Sequence, residues 1–142
     1  MAELDLSAIP LFSGLTKDEL DQLNQLAHPI SYKAGEQVFR EGEGAIGVYL
    51  VTSGTFELRH DQPGSEPQVE TTINPGGIFG LTSVLDEGPR RASAYAKTEG
   101  TCLTLSRITF REAIMQNPHI ALSVLSAMAK NMRELSALVA ED

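Results

Sequence analysis

Glycine placement constrains this chain most. Between Ile30 and Leu58 the apolar residues Ile30, Tyr32, Val38, Phe39, Val48, Leu50, Phe56 and Leu58 fall in short runs. Gly35, Gly42, Gly44, Gly47 and Gly54 interrupt them. Alternating apolar residues in short runs read as half-buried strands, and glycine lets the chain reverse at a positive φ. Gly35, Gly42 and Gly54 stand where such reversals are needed. No helical pattern intervenes between Tyr32 and Asn74, which disfavours a βαβ unit and favours a sandwich or barrel of many strands.

Helical periodicity appears at the two ends. Residues 5–12 (DLSAIPLF) suggest a short apolar turn around Pro10. Thr16 and Glu19 have capping-box spacing, and Leu20, Leu23 and Leu26 follow at helical intervals, so a helix is expected over 16–27. Thr109 and Glu112 repeat that spacing and predict a helix starting there and running to about Gln116. Asn117-Pro118 ends it and caps the next, a long helix to Leu138. Ile120, Val124, Met128, Met132, Leu135 and Val139 make one stripe along that helix, and Leu122, Leu125 and Ala129 a second. Two apolar stripes require two packing partners.

Composition narrows the function classes. The chain has 142 residues, enough for one domain with a core, and 42% of them are hydrophobic. A net charge of −8 and the absence of tryptophan disfavour binding to a polyanion or to single-stranded nucleic acid. Cys102 is the single cysteine, so it can form no intrachain disulfide, and a buried strand residue is expected there. His28, His60 and His119 lack metal-ligand spacing, and no catalytic triad is discernible, so the chain reads as non-enzymatic with no metal or cofactor. No apolar run approaches the roughly 20 residues of a membrane span, and the acidic N-terminus does not resemble a secretion signal. A reduced, cytoplasmic setting is expected.

One stretch carries chemistry. Residues 74–97 read NPGGIFGLTSVLDEGPRRASAYAK: glycines, a short apolar turn, an acidic loop, then Pro89-Arg90-Arg91-Ala92-Ser93. Glycines let backbone amides approach a ligand, and an arginine fork matches phosphate oxygens. The elements therefore suit an anion cradle.

In order and spacing this stretch resembles the phosphate-binding cassette of cyclic nucleotide-binding domains, as in catabolite activator-type regulators and protein kinase A regulatory subunits. Phe79-Gly80 and Pro89-Arg90-x-Ala92-Ser93 carry the likeness. Tyr32 to Glu43 and Val48 to Gly54 resemble the strand pairs that open the family's fold. The resemblance implies a mainly β domain with flanking α: a β jelly roll, or double-stranded β-helix. An N-terminal helix, a short cassette helix and a long C-terminal helix would flank it. Residues 1–142 would form this single domain, with a helical region over 1–28, the roll over 29–106, its cassette over 76–93, and C-terminal helices over 107–142.

By the same resemblance, Arg90 pairs with the cyclic phosphate and Ser93 hydrogen-bonds it, while Ala92 admits a backbone amide. Gly80 lies near the ribose, Thr82 and Ser83 turn backbone N–H groups to the phosphate, and Ser136 faces the base. Arg91 adds charge at a usually small position. Leu81 departs from the pattern, standing where the family has a glutamate for the ribose 2′-hydroxyl, and Asp86 or Glu87 are candidate substitutes. The implied function is a non-catalytic regulatory domain for cyclic AMP, or next cyclic GMP, which relays binding through the C-terminal helix and forms a homodimer there. The alternative is a degenerate dimerisation module with a different small anion or no ligand. Catabolite activator-type regulators continue into a helix-turn-helix, whereas this chain ends at Asp142, so a stand-alone or excised sensor without nucleic-acid contact is expected.

Overall fold

Strand β3 (Gly47–Ser53) is buried over its first five residues, without the alternation of a one-sided strand. Both of its faces are covered, one by a second sheet and the other by helices, and such strands become continuously apolar. Val48 and Leu50 belong to a cluster with helical residues, whereas Tyr49 and Val51 belong to a cluster between the sheets. The computed structural model describes Leu6, residues 9–60, Gly64, Glu66 and residues 68–140, with the backbone alone for 127 and 131–140.

Eight antiparallel strands among these residues form two four-stranded sheets. The first has β1 (His28–Tyr32), β8 (Gly100–Ser106), β3 and β6 (Ile78–Phe79) in that order; the second has β2 (Gln37–Phe39), β7 (Ser93–Ala96), β4 (Phe56–His60) and β5 (Gln68–Ile73). This is the expected jelly roll. Gly35, Gly42 and Gly54 sit at φ 86°, 92° and 78°, so the turn glycines read from sequence occupy left-handed backbone. At Gly54 a Cβ would also run into the Glu99 carbonyl, so both space and dihedral select glycine.

Helix α1 (Lys17–Leu26) carries the expected capping box: Thr16 Oγ1 accepts from the Glu19 N–H at 3.2 Å, and Glu19 Oε1 from the Thr16 N–H at 2.8 Å. Glu19 Oε2 also accepts from Asn117 Nδ2 at 2.6 Å, tying α1 to the C-terminal helices. Helix α2 (Leu81–Asp86) is the cassette turn. Helix α3 (Arg107–Gln116) starts two residues before the expected Thr109, because Ser106 at the end of β8 supplies the cap, accepting from the Thr109 N–H at 3.2 Å. Asn117 follows, and its Oδ1 accepts from the His119 N–H at 3.1 Å, so it ends α3 and caps α4 (Pro118–Ala140) as its sequence implied.

The two stripes of α4 fare differently where their side chains are described; those of Met132, Leu135 and Val139 lie outside the described residues. Ile120 and Val124 are buried with Phe12, Phe110 and the helix-facing residues of β3 and β8, whereas Leu122 and Leu125 are 65% and 64% exposed. Each fully buried side chain of this kind contributes about 1.5–3 kcal/mol. A short 3-10 turn (Pro10–Phe12) supplies Leu11 and Phe12 to the same cluster. Most of the loop over 61–67 falls outside the described residues, as do most of 1–8. No helix among the described residues is long and apolar enough to cross a membrane.

Candidate ligand site

The space between the sheets is lined with aromatic rings. Tyr49 stacks on Phe79 at 5.2 Å between centroids, Phe56 on Phe79 at 5.5 Å, and Tyr32 meets Phe56 edge-on at 5.8 Å. Phe39 tilts against both Tyr49 and Phe79. Cys102 is fully buried among them, and burial pushes its thiol up to about 12, so it stays protonated and inert. Into this apolar cluster the chain inserts one cation, Arg90.

Backbone pairing fixes where Arg90 stands. Gly44 and Pro89 form an isolated bridge, the Arg90 N–H donates to the Glu43 carbonyl at 2.8 Å, and its carbonyl accepts from the Gly42 N–H at 2.8 Å. The side chain is then turned inward and is only 3% exposed. Nη1 donates to the Gly80 carbonyl at 2.8 Å and Nη2 to the Gly47 carbonyl at 2.6 Å. The guanidinium lies 4.0 Å over the Phe39 ring and 5.8 Å from that of Tyr49. Its Nε is buried without a hydrogen-bond partner, and no carboxylate among the described residues forms an ion pair with it. Burial lowers the Arg90 pKa, against smaller opposing effects of Tyr49 and Glu43, but a guanidinium remains charged. A desolvated cation held only by neutral carbonyls and π faces is electrostatically incomplete.

Gly80 makes that position accessible. Its φ is 79°, and a Cβ there would stand 2.8 Å from Arg90 Nη1. The cassette therefore needs glycine both for its left-handed entry into α2 and for the close approach of the guanidinium.

The remaining expected site residues divide into groups. The Ser83 hydroxyl is buried and donates to the Pro89 carbonyl at 3.0 Å, linking α2 to the segment that carries Arg90. Thr82 is half-buried on the first turn of α2, Ala92 is buried and Arg91 exposed. Ser93 is buried, but its hydroxyl accepts from the Glu41 N–H at 2.9 Å. Strand alternation sends Ala94 and Ala96 into the inner cluster and places Ser93 with Tyr95 on the other side, around a cleft lined also by Gln37, Arg40, Glu41 and Gly42. The side chains of Arg90 and Ser93 thus hold different partners.

Leu81 packs half-buried against the helix-side cluster. Asp86 Oδ1 accepts from the Gly88 N–H at 2.9 Å, closing a local turn, and Glu87 lies 3.9 Å from Arg111, so the two acidic candidates are engaged elsewhere. The side chain of Ser136 lies outside the described residues. Sequence reasoning passed over Phe39, Tyr49, Gly47 and Arg111. The first two read as ordinary strand residues, and nothing local marks the others.

Comparison with known proteins agrees with this geometry. The profile described as "Cyclic nucleotide-binding domain" matches residues 29–117. The "Cyclic AMP receptor protein" of Thermus thermophilus is 33% identical over 125 residues, covering 88% of this chain and 58% of that protein. The "CRP-like cAMP-activated global transcriptional regulator" of Mycobacterium tuberculosis is 27% identical, covering 96% of this chain and 61% of that one. Among solved structures, the Thermus thermophilus catabolite activator protein superposes with a TM-score of 0.82 at 32% identity, over 92% of this chain and 61% of that one. The chain thus spans about three-fifths of the length of these relatives. With its roll, its cassette and its inward arginine, this chain belongs to the cyclic nucleotide-binding domain family.

Proposed function

We propose that the domain is a non-catalytic sensor that binds the phosphate of a cyclic nucleotide at Arg90, cyclic AMP ahead of cyclic GMP. The observation that carries this reading is the buried guanidinium with its partnerless Nε and no carboxylate pair among the described residues. A phosphate supplies the missing charge and accepts from Nε, a charge-assisted bond in a site already desolvated. Backbone N–H groups of Thr82 and Ser83 and the small Ala92 complete the cradle, with Gly80 toward the sugar and Arg91 adding charge at the rim. Ser93 acts from the far side of β7, holding the Glu41 N–H and so the loop whose Gly42 and Glu43 fix the Arg90 backbone. Ser136 and the C-terminal helix close over the base, and binding shifts a pre-existing equilibrium of that helix. Both relatives named above are described by cyclic AMP, which favours that ligand over cyclic GMP.

Titration calorimetry of the wild type with each nucleotide tests this. Binding in the micromolar range that Arg90→Ala abolishes is the expected result. Millimolar or absent binding overturns it.

Leu81 favours a second reading. It puts an apolar side chain where the resemblance calls for a carboxylate, and Leu122 and Leu125 leave an open apolar face on α4. On that reading the domain is a homodimerisation module through α4, with a small anion other than a nucleotide, or none, at Arg90. Sedimentation equilibrium with and without cyclic AMP separates the two: a ligand-independent dimer with no nucleotide binding supports the second.

A further inference from the structure

Helix α2 is six residues long, too short to be stable alone, and the carbonyls of its last turn need donors from elsewhere. Its own last turn has no basic residue, and the residue after it, Glu87, sits at φ 57°. The donor comes from another helix: Arg111 Nη1 of α3 donates to the Val84 and Leu85 carbonyls at 3.2 Å each, and Nη2 lies 3.9 Å from a Glu87 carboxylate oxygen. At its other end α2 begins after Gly80, whose carbonyl accepts from Arg90. In its middle, Ser83 holds the Pro89 carbonyl, next to Arg90.

We propose that Arg111 is the positioning residue that sets α2 against Arg90 and couples the anion site to α3. The proposal rests on the anion-site reading of Arg90. A phosphate that accepts from Nε shifts the guanidinium and, through its Nη1 bond to the Gly80 carbonyl, the start of α2. The end of α2 is gripped by a cation on α3, so the displacement passes to α3 rather than dissipating in the Asp86–Gly88 loop. Arg111 itself touches no ligand.

Amide hydrogen exchange on the full chain without ligand tests the coupling independently of what the site binds. Arg90→Lys, which keeps the charge but loses the fork, weakens the hold on Gly80. The expected result is at least threefold faster exchange in both α2 and α3. In an Arg111→Gln background, Arg90→Lys accelerates α2 only, whereas Arg111→Lys, retaining a donor, restores part of the α3 response. An α3 response of the same size in wild-type and Arg111→Gln backgrounds makes Arg111 a stability contact alone and overturns the proposal. So does an α3 that ignores Arg90→Lys altogether. Calorimetry of cyclic AMP binding to Arg111→Gln completes the test: about tenfold weaker binding is expected if α2 is misplaced. If the wild type binds no cyclic nucleotide, the reading of the ligand falls, while the exchange cycle still decides the coupling.

Discussion

The guanidinium carbon of Arg90 lies 4.0 Å from the centroid of Phe39, so β2 contributes a ring to the site and not only a strand to the sheet. A desolvated cation–π contact is worth about 2 kcal/mol, and an exposed one about 0.5–1. Phe39→Leu is expected to lower the urea-denaturation stability by more than the same change made in an Arg90→Met background. A coupling of about 1–2 kcal/mol is the expected difference. Equal losses in both backgrounds would show that the ring acts only as apolar filling.

Gly80→Ala combines two penalties. The φ of 79° costs an L-residue about 1–2 kcal/mol, and the new methyl meets Arg90 Nη1 at 2.8 Å. The variant should fold with lowered stability in urea and bind cyclic AMP more weakly than wild type by at least tenfold. A Gly80→Ala protein with wild-type affinity would place the ligand away from this arginine.

Leu81→Glu separates the two halves of the proposed site. It withdraws apolar area from the helix-side cluster, so stability should fall by about 1–3 kcal/mol. If a sugar hydroxyl lies within reach, the gained charged hydrogen bond of about 1.5–3 kcal/mol should tighten cyclic nucleotide binding ten- to a hundredfold. Calorimetry at saturating protein stability, well below the melting temperature, keeps the two effects apart.

His60 is expected to titrate above 6.5. Its Nε2 meets Glu70 at 2.8 Å, the main cause of the rise, and its Nδ1 lies 3.6 Å from Glu41. The folded state then holds the proton more tightly than the unfolded one. The resulting stability is complete below pH 6.5 and is lost as pH rises through the folded value. Proton NMR of the imidazole should show the raised midpoint and its return toward 6.5 in Glu70→Gln. An unchanged midpoint in that variant would remove Glu70 as the cause.

Local signals were the readable ones. The Thr16 and Glu19 capping box, the turn glycines and the buried Ile120 and Val124 of α4 each follow from residues a few positions apart. They needed no knowledge of the fold. The start of α3 was misread because two hydroxyl residues, Ser106 and Thr109, each have the chemistry of a cap. Only the end of β8 decides between them. Arg90 stood out from the sequence by resemblance to the arginine of the family's cassette. That it points inward, with Nε unpartnered, depends on Gly47 and Gly80 carbonyls supplied by different strands. The partner of Ser93 was not legible either: its hydroxyl accepts from the Glu41 N–H, on a loop 52 positions earlier. Arg111 had no local mark at all, since the carbonyls it meets lie more than 20 positions earlier in the chain.

The inner aromatic cluster also gives the domain its own optical reporter. The chain has no tryptophan, and its only tyrosines are Tyr32, Tyr49 and Tyr95. Two of these, Tyr32 and Tyr49, belong to the cluster between the sheets, and burial raises the pKa of both. Tyr49 lies 5.8 Å from the guanidinium, so its share of the near-ultraviolet circular dichroism and intrinsic emission reports on Arg90. Any molecule that moves Arg90 should change that signal without a label.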